Sequence, residues 1–123
     1  MIVVDSSIWI DHFHVGDERI SVLIDAEAAL VHPFVYGEIL LGSLRDRAGV
    51  AEYLGDLPEA QPAEQEEVIY LLGRYRLFSR GIGFVDLHLL ASTLLRRGAR
   101  LWTRDKRLLA VAEELGIAYT PDH

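Results

Sequence analysis

The chain has no cysteine among its 123 residues. Disulfide staples and thiolate metal sites are therefore excluded, and stability has to come from an apolar core. The lack of cysteine agrees with a reducing cytoplasm, which is the expected location. Long apolar runs are also missing. None approaches the roughly 20 residues that a membrane-spanning helix needs, so no membrane role is expected. The opening Met1-Ile2-Val3-Val4-Asp5 carries no positively charged leader and reaches a carboxylate at once. It reads as a strand, not a signal peptide. Internal repeats, low-complexity tracts and domain linkers are absent too, so residues 1–123 are expected to form one domain.

Apolar residues make up 50% of the chain, enough for a sizeable core. At this length roughly two-thirds of the unfolded surface is buried on folding. The net charge of −7 argues against a simple nucleic-acid binder. The distribution says something different. Between Arg74 and Arg107 stand nine basic residues and only two acids, a local charge of +7. The rest of the chain carries −14. This asymmetry points to a polyanion-facing surface in the C-terminal part, although solvated helix faces would give the same composition.

Short β-branched or apolar runs alternate with helical periodicity. Residues 2–4, Ala29-Leu30-Val31, Leu101-Trp102 and Ile117-Ala118-Tyr119 read as strands. Helices are predicted from Ser6 or Ser7 as cap to about His12, over 19–27, from Pro33 to about Arg47, over 50–54, over 64–79, over 84–97 and over 106–115. Pro33 suits a first helical turn, where its missing N–H has no intrahelical partner. Leu57 to Ala63, with Pro58 and Pro62, is predicted as a loop. The pattern describes an α/β fold with a central parallel sheet of four to five short strands flanked by helices.

Four acids stand in unusual places. Asp5 follows the first strand directly, and Asp105 lies three residues beyond Trp102 at the end of another. Ligands of open parallel sheets bind outside the carboxyl ends of the strands. Glu38 sits in Phe34-Val35-Tyr36-Gly37-Glu38-Ile39-Leu40-Leu41-Gly42, and Asp86 in Phe84-Val85-Asp86-Leu87-His88-Leu89-Leu90-Ala91. An unpaired carboxylate among apolar side chains is costly to bury. Helix capping would explain Asp5 and Asp105, and a favourable helix dipole would explain Asp86. Glu38 is the least easily explained this way. If the four converge, two carboxylates about 4 Å apart repel by roughly 4 kcal/mol at an effective dielectric near 20. Such a cluster takes up protons or holds a cation. Donors that are all oxygen point to Mg²⁺ or Mn²⁺ rather than zinc.

Met1-Ile2-Val3-Val4-Asp5-Ser6-Ser7-Ile8-Trp9-Ile10-Asp11 resembles the opening of PIN-domain toxins, the VapC family of bacterial toxin–antitoxin systems. Tyr36-Gly37-Glu38-Ile39-Leu40-Leu41-Gly42, Gly83-Phe84-Val85-Asp86 with Ala91, and Leu101-Trp102-Thr103-Arg104-Asp105 resemble the family's later motifs, in order and at suitable spacing. The resemblance covers nearly the whole chain. It implies a metal-dependent endoribonuclease with Asp5, Glu38, Asp86 and Asp105 as its acidic quartet. Asp5, Asp86 and Asp105 would be metal ligands, and Ser7 and Thr103 polar supports. Glu38 would be a ligand or would orient the attacking water. Arg104 and Lys106, flanking Asp105, would steer RNA phosphates. The resemblance also implies a VapB-like antitoxin partner and a toxin homodimer. Asp11 is expected to face solvent or a partner. His88, about 200° round the helix from Asp86, is left outside the quartet.

Rival readings fit less well. A receiver-like phosphoacceptor domain needs a lysine at the end of a late strand, and the one lysine, Lys106, opens a helix instead. A dehalogenase-like phosphatase needs a second aspartate where Ser7 stands. A non-catalytic PIN-fold interaction module would not need the complete quartet. A flap-type DNA nuclease is the nearest enzyme alternative, and the small size with no added DNA-binding domain favours RNA.

Overall fold

The sheet is built on β1 (Ile2–Val4), whose three β-branched or apolar residues are all buried. In the computed structural model, which describes residues 1–121, β1 lies between β2 (Ala29–Leu30) and β3 (Arg100–Trp102), with both pairings parallel. Ile2 and Val3 sit opposite Ala29 and Leu30 on one side, and Ile2 to Val4 sit opposite Arg100 to Trp102 on the other. Single parallel bridges extend both edges, Val31 to Glu59 and Leu101 to Ala118. The expected last strand at 117–119 is thus one bridge, held by Leu101 N–H to Ile117 O at 2.7 Å and Tyr119 N–H to Leu101 O at 2.8 Å. Three strands and two bridges replace the four to five full strands expected. The single-domain expectation extends to Asp122 and His123, which lie outside the described residues.

Helices cover the sheet: α1 (Ser6–His14), α2 (Glu18–Asp25), α3 (Pro33–Leu41), α4 (Arg47–Gly55), α5 (Gln65–Arg74), α6 (Phe84–Leu94) and α7 (Lys106–Glu114). The core between the layers contains Ile8, Trp9, Val35, Ile39, Leu89, Leu90, Leu101, Leu108 and Val111, all essentially inaccessible to solvent. α6 is buried on nearly every side from Leu87 to Thr93.

Several boundaries differ from the sequence expectation, among them the start of α4 at Arg47 and the end of α6 at Leu94, and three of the differences have visible reasons. The cap of α1 is Asp5, not Ser6 or Ser7, because its carboxylate accepts the Ser6 N–H. α3 stops at Leu41. Arg47 does not continue that helix but reaches back from α4, its Nε donating to Leu40 O at 2.9 Å. That satisfies a carbonyl left open at the helix end. α5 ends at Arg74 rather than Ser79, because Arg76 and Ser79 adopt left-handed φ values of 55° and 60°. A left-handed non-glycine residue costs roughly 1–2 kcal/mol. The reversal at Arg76 lets Leu77 N–H close on Leu72 O at 2.9 Å and turns the Leu77 side chain into the core.

Candidate active site

Of the four acids predicted from sequence, Asp5 and Asp105 follow strands at one end of the sheet, and Glu38 and Asp86 lie on α3 and α6, near enough to feel the charge of Asp5. Asp5 is the residue after β1 and the cap of α1. It is 7% exposed, and both of its oxygens accept hydrogen bonds. Oδ1 accepts the Ser6 N–H at 2.7 Å. Oδ2 accepts the Thr103 hydroxyl at 2.7 Å and the Ser7 hydroxyl at 3.4 Å. Thr103 in turn accepts the Asp105 N–H at 3.1 Å. The ends of β1 and β3 are joined directly by Asp5 N–H to Trp102 O at 3.0 Å. Ser7 and Thr103 therefore stand where the sequence reading expected polar supports. Ser6 was expected only as a helix cap, and the geometry of the turn reveals its contact with Asp5.

Asp105 caps α7, with Oδ1 accepting the N–H groups of Arg107 and Leu108 at 2.9 and 3.1 Å. Asp86 lies in the first turn of α6, where Oδ2 accepts the Gly83 N–H at 3.0 Å. Glu38 stands in the middle of α3 and reaches the surface. The capping and dipole roles weighed against function are thus real for three of the acids. They fix carboxylate positions without excluding chemistry at the free oxygens.

Electrostatics ties the four together. Burial raises the Glu38 carboxyl above its ordinary pKa, and the charges of Asp5 and Asp86 raise it further. A Ser6 hydroxyl contact works the other way. Burial likewise raises Asp86, the Gly83 N–H opposes this, and the charges of Asp5 and Asp105 add to the rise. Both of these acids therefore feel the charge of Asp5. Direct chelation is a separate matter. Among the described residues, no group of three or more histidines, aspartates and glutamates is gathered closely enough to hold an ion unaided. The donors are nonetheless all carboxylate oxygens under mutual repulsion. That set suits a hydrated Mg²⁺, which keeps several waters and is held by one or two carboxylates.

The two basic residues beside Asp105 differ. Arg104 pairs with Asp11 and lies 3.6 Å from Asp17. Asp11, expected to face solvent or a partner, is occupied by this arginine, and nothing in the helical pattern signals a contact across 93 residues. Asp17 also takes the Arg19 guanidinium at 2.8 Å. Lys106 is exposed and forms no ion pair among the described residues. Elsewhere in the basic segment, Arg80 is clamped by both oxygens of Glu114 at 2.7 and 2.8 Å.

A second cluster, of buried histidines, was not predicted. His32 and His88 are buried, with ring centroids 6.3 Å apart. His32 Nδ1 caps α3 by accepting the Phe34 N–H at 3.0 Å. Burial, helped by neighbouring His88, pushes the His32 pKa down to about 4.

The fold agrees with comparison against known proteins. The PIN domain family matches residues 2–114. Ribonuclease VapC32 of Mycobacterium tuberculosis, from strains CDC 1551 / Oshkosh and ATCC 25618 / H37Rv, is 46% identical over 118 residues in each case. The match spans 96% of this chain and 95% of each relative. The chain belongs to the PIN-domain family and, within it, to the VapC ribonucleases.

Proposed function

We propose that this PIN-domain chain is a divalent-metal-dependent endoribonuclease and the toxin of a VapBC-type pair. The observation that carries the reading is the link from Asp5 through the Thr103 hydroxyl to the Asp105 N–H beyond the ends of β1 and β3, with Glu38 and Asp86 near enough to be raised in pKa by the charge of Asp5 as well as by burial. Carboxylates that meet in this way gain from a bound cation. The ribonuclease relatives supply the substrate class.

Asp5, Asp86 and Asp105 would hold Mg²⁺ or Mn²⁺, in part through waters. When bound, the ion would acidify water and draw charge from the scissile phosphate. The protein's own part is positional. Thr103, Ser6 and Ser7 hold Asp5 so that its lone pairs face one direction. The Gly83 N–H does the same for Asp86. Glu38, surface-reaching and raised in pKa, would take a proton from the attacking water. Lys106 and Arg104 would guide the phosphate backbone toward Asp105. Arg104 must exchange Asp11 for a phosphate to do so. A VapB-like antitoxin would silence the site by bringing a basic side chain to the carboxylates. The toxin would act as a homodimer in the cytoplasm.

The test is cleavage of single-stranded RNA and single-stranded DNA by the purified chain with Mg²⁺, with Mn²⁺ and with chelator, beside Asp5→Asn. RNA cleavage that needs the metal and is lost in Asp5→Asn is expected. Cleavage of DNA alone would favour a flap-type nuclease. Metal-independent activity, or full activity in a folded Asp5→Asn variant, would remove the assignment.

A further inference from the structure

Arg74, Tyr75, Arg76 and Phe78 stand exposed where α5 ends and the chain turns, around one inward residue, Leu77. Leu77 is 3% exposed, and its N–H closes on Leu72 O. That anchor sends its two neighbours outward. The Arg76 guanidinium lies 5.9 Å from the centre of the Phe78 ring, and the Arg74 guanidinium 5.2 Å from that of Tyr75. The turn is held in this shape against backbone preference. Arg76 and Ser79 are both left-handed without being glycine, and strain of this kind concentrates at functional segments.

Charge limits what the turn can receive. No acid stands between Glu67 and Asp86, a stretch that holds Arg74, Arg76 and Arg80. Arg80 is taken by Glu114. Arg74 and Arg76 form no ion pair among the described residues. In a chain of net charge −7, they make a local cationic platform edged with exposed rings. Single-stranded nucleic acid answers both features, because its phosphates meet the guanidinium groups and its bases stack on the rings.

The turn also adjoins the acids. Phe78 is three residues from Gly81, at most about 11 Å of extended chain. Gly81 has a φ of 77° and passes close to Arg107, so that a Cβ there would fall 2.5 Å from the guanidinium. The Arg107 N–H is in turn held by Asp105 at 2.9 Å. Two residues after Gly81, the Gly83 N–H is donated to Asp86. Arg107 therefore spans the space between the turn and Asp105, and it too forms no ion pair among the described residues.

We propose that the turn from Arg74 to Phe78 binds single-stranded RNA next to the cut, holding nucleotides that flank the scissile bond on one side. Arg74 and Arg76 contact phosphates, Tyr75 and Phe78 stack on bases, and Arg107 carries the backbone from the turn to the acids. This inference rests on the nuclease reading above and adds a second, remote contact with the substrate strand.

The test uses single-stranded RNA oligonucleotides that contain the mapped cut site and are lengthened one nucleotide at a time on either side. Binding is measured in an Asp5→Asn background, and cleavage with otherwise wild-type protein. Lengthening on one side is expected to raise affinity by about tenfold, the scale of one base–aromatic stack. Phe78→Leu should remove that gain. Arg76→Gly loses the guanidinium and eases the left-handed backbone, so it should fold. It should lower the log–log salt slope of the long oligonucleotide by about 0.7. Neither variant should change binding or cleavage of the shortest oligonucleotide. Arg97→Ala is the control, since Arg97 lies beyond the end of α6 remote from Asp86, and it should leave the gain in place. No gain with length on either side overturns the inference without any variant, and cleavage of the shortest oligonucleotide then leaves the nuclease reading standing. A gain that survives in Phe78→Leu and Arg76→Gly overturns it as well, and loss of a purified antitoxin by those variants would then assign the turn to a protein interface. Absence of RNA binding and cleavage at every length removes both readings together.

Discussion

The Thr103 hydroxyl donates to Asp5 Oδ2 at 2.7 Å across 98 residues of chain, and accepts the Asp105 N–H in the same place. One buried oxygen thereby sets the spacing between two of the four acids. Its removal has a defined cost. Thr103→Val keeps the shape but leaves a buried carboxylate short of a donor and the Asp105 N–H without its acceptor. A hydrogen bond to a charged group contributes roughly 1.5–3 kcal/mol. Denaturant unfolding should show a loss in that range, with RNA cleavage falling more than metal affinity. A variant as stable and as active as wild type would show that Thr103 positions nothing.

Glu38 should make stability depend on pH in a direction opposite to that of most carboxylates. Its folded pKa lies above the ordinary 4.5, so ionisation is disfavoured in the folded state. The fold therefore keeps its full stability below the unfolded pKa and loses some as pH rises through the folded value. Glu38→Gln removes that loss. In metal-free buffer its melting temperature should match wild type near pH 4 and exceed it at pH 7. Parallel melting curves across that window would contradict the assigned shift.

Asp86→Asn tests the metal from the other side. Burial and the charges of Asp5 and Asp105 raise the Asp86 pKa, against the Gly83 N–H. The neutral variant should therefore be at least as stable as wild type when no divalent ion is present. Adding Mg²⁺ should stabilise wild type more, because binding to the native state shifts stability by linkage. Equal Mg²⁺-induced shifts in the two proteins would argue that this acid binds no metal.

The basic side chains should contribute unequally to RNA binding. Lys106 is unpaired among the described residues, whereas Arg104 already faces Asp11 and Asp17. Lys106→Ala should reduce the log–log salt slope for single-stranded RNA by about 0.7. Arg104→Ala should reduce it less, since that side chain trades carboxylates for phosphates. Arg45→Ala is the cleaner control, because Arg19 is held by Asp17. Binding titrations across salt concentrations would decide this. A control that costs as much as Lys106→Ala would mean the affinity is not localised.

Much of the fold was legible because its signals are local. β-branched runs ending in an acid mark strand ends, and Pro33 and Gly83 mark helix starts. The four acids drew notice because isolated carboxylates in apolar settings need an explanation. What escaped depended on reach. Arg47 caps a helix it was expected to extend, and Arg104 crosses to α1 to meet Asp11. Long flexible side chains leave no periodic trace of their partners. The left-handed turn at Arg76 carries no glycine, so the end of α5 had no sequence marker. His88 was set aside for its angle round the helix from Asp86, and its packing with Phe34, Phe84 and His32 has no sequence marker.

The strand order has a consequence for synthesis. β1 is translated early yet sits at the centre of the sheet, and its partner β3 arrives about a hundred residues later. Parallel pairing over such a distance is non-local and slow to nucleate. A ribosome-bound chain that lacks residues 100–105 has no β1–β3 pair, no Thr103 to hold Asp5, and no Asp105. The nuclease site proposed here would therefore stay unassembled through most of translation. Prematurely terminated products would be harmless for the same reason. An antitoxin would then meet a competent enzyme only after the last strand had emerged.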